Sequence, residues 1–200
     1  LGSAASGTVV QGGAALAALE LAGDITVAEP VQFVMHNTAG HAQLRNVSGV
    51  NTVTGALALN SGGARWDFAS LAGSLTLAGP ITNISAGTDT WRTLHLHGPG
   101  SGMITGALAD SASGNSRLNL SVVSGEWTLS GPAKTYTGAT TISGGTLRLE
   151  TSLASVLSVQ TGAALALRLR DWTAATAPVS VARLATTGAT SWTLHLDATN

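Results

Sequence analysis

The 200-residue chain contains no cysteine, which removes disulfide scaffolds, thiolate metal sites and cysteine nucleophiles in one step. Charge is scarce as well: Asp, Glu, Lys and Arg together make up 10%, the formal net charge is -1, and Lys134 is the only lysine. Neutralising phosphates takes clustered cations, so no nucleic-acid partner is expected. A mean hydropathy of +0.29 with so little charge excludes a disordered tail, which needs the opposite balance. No apolar run reaches the length of a membrane helix. The richest, Ala14 to Ala22, is interrupted by Glu20, and no membrane contact is expected of this segment. The opening Leu1-Gly2-Ser3 carries no basic stretch before an apolar one, and the chain reads as a piece of something longer.

What the chain has in quantity is glycine, 25 residues of 200, and a recurring motif. An apolar–x–Leu triplet is followed by a small residue and then Gly, often Gly-Pro. It appears at Leu19-Glu20-Leu21-Ala22-Gly23, Leu75-Thr76-Leu77-Ala78-Gly79-Pro80, Leu94-His95-Leu96-His97-Gly98-Pro99 and Trp127-Thr128-Leu129-Ser130-Gly131-Pro132. Looser copies start at Leu57, Leu147, Leu165 and Leu194. Leu57, Leu75 and Leu94 are 18 and 19 apart, and Trp127, Leu147 and Leu165 are 20 and 18 apart. Alternation of period two puts the leucines on one face of a strand and the middle residue on the other. Glycine then turns the chain.

Strand and turn repeating at about 18–20 residues predict an all-β fold, a parallel β-solenoid over 1–200 with a few inserted loops. One coil cannot bury its leucines alone, but stacked coils can, each satisfying the next one's backbone groups. About ten coils at about 4.8 Å per rung would make a rod of roughly 50 Å. Ala14–Ala22 and Ser152–Val159 have helix propensity, yet both adjoin strand-type repeats, and the stack is expected to override it. The spans 97–126 and 168–193 fit the period poorly and are left unplaced.

Residues Gly125 to Leu149, GEWTLSGPAKTYTGATTISGGTLRL, closely resemble the passenger-associated transport repeat, also called the autotransporter-associated β-strand repeat. The resemblance rests on Trp127-Thr128-Leu129-Ser130-Gly131, Thr135-Tyr136-Thr137-Gly138, Thr140-Thr141 and Gly145-Thr146-Leu147 with Leu149. Lys134 stands where the repeat usually has Asn, a departure expected to affect only a turn. The resemblance implies a right-handed parallel β-helix in the passenger of an autotransporter-like bacterial protein, extracellular, at the cell surface or secreted. It further implies a role in passenger folding and export, not catalysis.

The residues expected to carry that role are structural: Leu75, Leu77, Trp127, Leu129, Tyr136, Leu147 and Leu149 in the stack, and Gly79, Gly131, Gly138 and Gly145 at turns. The expected partners are neighbouring coils of the parent protein, with copies of the chain end to end and surface glycans as alternatives. Trp172 flanked by Arg168 and Arg170 is the candidate glycan contact, an aromatic platform with guanidinium donors. The weightier reading of that trio is an exposed sheet edge with a local ion pair. Five tryptophans, Trp66, Trp91, Trp127, Trp172 and Trp192, are expected mostly in the core or at corners.

His95 and His97 leave one face of a strand and could chelate a metal with a third ligand. With Leu94 and Leu96 claiming the interior, both are expected to be solvated, and neither a metal site nor a cofactor is expected. Polysaccharide hydrolysis needs paired carboxyls, and no two acidic residues fall two apart within a copy of the repeat; Asp67 and the others are scattered singly. Asp24 and Asp171 could meet others only across coils, so no enzyme is expected; a polysaccharide-processing β-helix is the alternative. Neither a phosphate-binding glycine loop nor a nucleophile elbow is present.

Overall fold

Short alternating runs broken by glycine become twenty-one strands in the computed structural model, which describes residues 6–14, 16–35, 41–60, 64–85, 90–113, 115–168, 179–187 and 193–197. The first coil comprises β1 (Thr8–Gln11), β2 (Leu19–Leu21) and β3 (Thr26–Val27), and the second β4 (Val31–Val34), β5 (Leu44–Asn46) and β6 (Val50–Val53). The third is β7 (Leu57–Leu59), β8 (Arg65–Ser70) and β9 (Ser74–Leu77), and the fourth β10 (Ile81–Asn83), β11 (Thr90–His97) and β12 (Ser101–Ile104). The fifth is β13 (Leu108–Ala109), β14 (Ser116–Val122) and β15 (Glu126–Leu129). From there the described residues give two strands per coil: β16 (Thr140–Ile142) with β17 (Thr146–Leu149), β18 (Leu153–Gln160) with β19 (Ala164–Arg168), and β20 (Val181–Thr187) with β21 (Thr193–Asp197).

Equivalent strands pair in parallel into three sheets. Sheet A is β1-β4-β7-β10-β13; sheet B runs from β2 to β20 and sheet C from β3 to β21, each with eight strands. The fold is therefore the expected parallel β-solenoid, and no described residue is helical. Both segments with helix propensity lie in the stack, Leu19–Leu21 as β2 and Leu153–Gln160 as β18.

The coil length needs correction. Leu57, Leu75 and Leu94 sit in β7, β9 and β11, on three different sides of the solenoid, so their spacing is not a coil. Their partners one rung on are Ile81, Gly102 and Leu120. A three-sided coil carries the chain from Thr8 to Val31 at the start of the stack and from Phe68 to Leu96 further along. Three strands and three corners take more chain than the repeat spacing allows. Trp127, Leu147 and Leu165 do stack in register, because the coils shorten there: the third side, which has regular strands up to β13, narrows to a single bridge between Lys134 and Leu153. Two sheets of eight rungs replace the ten coils expected, and seven steps of about 4.8 Å give a stack of about 34 Å. The irregular step from Leu94 to Trp127 resolves into a change from sheet B to sheet C.

The inner column of sheet C shows what holds the coils together. Val27, Val53, Leu77, Ile104, Leu129 and Leu149 lie in successive register, all buried, each stabilising by roughly 1.5–3 kcal/mol. Beside them run Leu75, Gly102, Trp127, Leu147 and Leu165. Gly102 makes room for the indole: a Cβ there would lie 2.2 Å from Trp127 Cε3.

A glycine column turns the corner between sheets C and A. A Cβ at Gly55, Gly79 or Gly106 would fall 1.9, 1.9 or 2.0 Å from the carbonyl oxygen of Glu29, Gly55 or Gly79 respectively. The column stops at Gly106, whose carbonyl oxygen accepts instead from Lys134 Nζ at 2.6 Å, which also donates to Ser130 O at 2.6 Å. Lys134 is fully buried, so the departure from the repeat is a plug in the interior and not a change in a turn. The Thr135 and Tyr136 amides donate to Leu108 O of β13, the last strand of sheet A, at 3.1 and 3.2 Å. Buried Tyr136 hydrogen-bonds Thr140 through its hydroxyl, and Thr140 reaches Ser155 at 2.6 Å. One rung on, the Lys134 amide donates to Ser152 O at 2.9 Å and the Ala154 amide to Lys134 O at 3.0 Å, so lysine and tyrosine carry the third side on as a bridge where its regular strands stop.

This plug has a titration signature. Burial lowers the Lys134 ammonium from 10.5 to about 8 and raises the Tyr136 phenol from 10.0 to about 12. Between pH 8 and 10.5 the native state holds fewer protons at Lys134 than the unfolded chain, so stability rises with pH there, by on the order of 3 kcal/mol. The tyrosine contribution is complete below pH 10 and drains away as pH climbs towards 12. Denaturant unfolding measured against pH should therefore peak near pH 10. Lys134→Met should flatten the rise and leave the fall above it.

Candidate functional site

Two-residue periodicity on sheet B sends Trp66, Phe68, Leu94 and Leu96 into the core and turns their neighbours outward. On that outer face Asp67 of β8 is the register partner of His95 on β11, and His97 pairs with Ala69. A full turn of the solenoid separates β8 from β11, so side chains far apart in the chain stand side by side. Asp67 Oδ1 lies 2.7 Å from His97 Nε2, and Arg65 Nε donates to Asp67 Oδ2 at 2.9 Å. The two imidazoles stack with centroids 5.9 Å apart. One ligand atom from each of Asp67, His95 and His97 can be chosen so that all lie within 4.8 Å of one another.

The electrostatics follow from burial. Asp67 is 1% exposed; desolvation pushes its carboxyl up, but the His97 hydrogen bond and the Arg65 charge outweigh it and hold the group below the usual range. Desolvation lowers His95, with Arg65 and His97 adding to the effect against the attraction of Asp67. His95 is thus biased towards its neutral form. Such a triad can hold a divalent cation or pass a proton between imidazole and carboxylate.

Beside the cluster lies a groove of about 360 Å³, with His97, Ala69 and Arg45 on the sheet side and Leu16, His41 and Leu71 around it. Arg45 is held by Glu20 at 2.6 Å. Further along the same face Trp91 is 51% exposed, with the Arg117 guanidinium 5.0 Å over its ring.

The expectation that His95 and His97 are simply hydrated is corrected: both are half-buried, His97 bonds a buried carboxylate, and His95 stands beside that carboxylate in register. Nor does Asp67 stand alone. The coil length expected from the repeat spacing would align it with the stretch just after Ser85, and only the longer three-sided coil brings it to His95. Asp24 does reach across coils, but to a backbone amide, accepting from Val50 N–H at 2.5 Å; Asp171 lies outside the described residues. So do Arg170 and Trp172, and of Arg168 only the backbone, at the end of β19, is described. Leu75, Leu77, Trp127, Leu129, Leu147 and Leu149 are buried in the sheet C stack, and Tyr136 in the plug. Gly79 sits in the corner column, Gly131 and Gly145 take φ of 75° and 68°, and a Cβ at Gly138 would lie 2.1 Å from Leu118 O.

Residues 124–149 match the Passenger-associated-transport-repeat family. No curated protein and no solved structure matches the chain. The matched stretch opens at the corner before β15, contains the Lys134–Tyr136 plug and closes with β17. It is the part of the solenoid where the regular strands of the third side give way to the Lys134–Leu153 bridge and the coil shortens.

Proposed function

We propose that this chain is a non-enzymatic β-helical stalk or scaffold segment in the passenger of an autotransporter-like bacterial protein, displayed at the surface or secreted. Its 124–149 coil serves passenger folding and export in this reading. The observation that carries it is the coincidence of the transport repeat with the shortening of the coil. A solenoid grows by adding coils to a formed edge, and the repeat opens on the short coils, with Trp127, Leu147 and Leu165 in register. A short coil orders less chain and closes a smaller loop, which lowers the cost of nucleating there. Trp127 and Tyr136, both fully buried, anchor that start. A chain leaving a narrow pore gains direction from such an edge, and the absence of cysteine removes disulfides from its path.

The test places the chain as passenger on an outer-membrane translocating barrel in a Gram-negative host. Trp127→Ala should cut surface-exposed, protease-resistant protein several-fold. Phe33→Ala in β4, also fully buried and expected to cost a similar amount, about 3–5 kcal/mol, should reduce display much less. Equal display of the two variants would overturn the assignment of the export role to the repeat.

A further inference from the structure

We propose that the outer face of sheet B carries a divalent transition-metal site, with Asp67, His95 and His97 as ligands and zinc or a first-row neighbour as the ion. Three protein ligands of imidazole and carboxylate type, with one position left to water, are the donor set of an open zinc site. Here they stand on adjacent rungs of a rigid sheet, Asp67 on β8 and both histidines on β11. Bonds of about 2.0–2.2 Å in a tetrahedron place donors about 3.3 Å apart. The three donor atoms already lie within 4.8 Å of one another, so closing the site takes about 1.5 Å of side-chain movement and no backbone change.

Asp67 decides the matter more than the imidazoles do. A carboxylate 1% exposed requires cationic partners. Arg65 takes Oδ2 at 2.9 Å, which fixes the plane of the group as an outer-shell partner does. Oδ1 then points at His97 Nε2, 2.7 Å away, and an ion replaces the proton between them. Arg65 repels that ion, so the site is weaker than a closed structural one. The mixed imidazole–carboxylate set favours zinc, nickel, copper or cobalt over calcium and magnesium, which demand oxygen ligands. A bound ion bridges two successive rungs, so loading should raise the unfolding midpoint by mass action.

The test is titration of the chelator-stripped full chain with Zn²⁺ by calorimetry and with Co²⁺ by visible absorption. One ion per chain is expected, with ligand-field bands of a four- or five-coordinate cobalt ion. Removing an outer-shell partner typically costs about 10–100-fold in affinity, so His95→Ala and His97→Ala should each cost at least about tenfold, and His41→Ala should cost nothing. Nuclear resonances of the His95 and His97 rings in the unaltered protein should be broadened or shifted first by Co²⁺, a readout independent of any variant's folding. Absence of saturable binding up to millimolar Zn²⁺, or binding that survives in the His95→Ala/His97→Ala double variant, would overturn the site.

Discussion

Gly79→Ala is expected to destabilise the solenoid by about 3–5 kcal/mol, a cost in the class of a broken buried network. The added methyl would sit 1.9 Å from Gly55 O, and that oxygen belongs to the backbone of the rung below, so no side chain can swing aside. The two rungs must separate at the corner between sheets C and A. Separation breaks the Ala78 and Gly79 amide bonds to Val53 O, at 2.8 and 3.1 Å. It also disturbs Gly106, which packs on Gly79 O in the same manner. Gly162→Ala is the control: it has φ of 77° and nothing within 4 Å, so only the left-handed backbone costs, about 1–2 kcal/mol. Chemical denaturation of the two variants should separate them clearly; equal losses would mean that the corner is held by conformation and not by close approach.

Leu129→Asp is expected to cost at least about 4 kcal/mol, the sum of lost apolar burial and a buried carboxyl without a partner. Leu129 is fully buried between Ile104 and Leu149 in the sheet C column. Domains are stable by only about 5–15 kcal/mol, and in a stack each coil leans on its neighbours. The coils from β12 to β17 should therefore lose protection together in hydrogen exchange. Burial disfavours the charged carboxylate, so the loss should shrink as pH falls and the group takes up a proton. Thr76→Asp, on the outward face of β9, should change stability by less than about 0.5 kcal/mol.

The strands are legible in the sequence because Leu-x-Leu alternation is a local signal, and the parallel stack because one coil cannot hide those leucines. Coil length is not. Copies of the motif recur on every side, as at Leu57, Leu75 and Leu94, so the distance between copies is shorter than the distance around the coil. Where the coil shortens, from Trp127 to Leu147 and Leu165, the two distances coincide and the reading holds. The Asp67–His95–His97 cluster is hidden for the same reason, since residues align across rungs only when the circumference is known. Lys134 is hidden for a different one. A lysine before Thr-Tyr-Thr-Gly reads as a solvated turn residue, and nothing local reveals that its ammonium replaces a glycine against the Gly106 carbonyl.

The narrowing of the third side after β13, from a paired strand to the single Lys134–Leu153 bridge, has a mechanical side. A tube walled by three continuous ladders resists bending in every direction, whereas a rung tied by two ladders and one bridge yields first towards its thin wall. Lateral load concentrates flexure on that wall, so stiffness changes where Lys134 and Tyr136 sit.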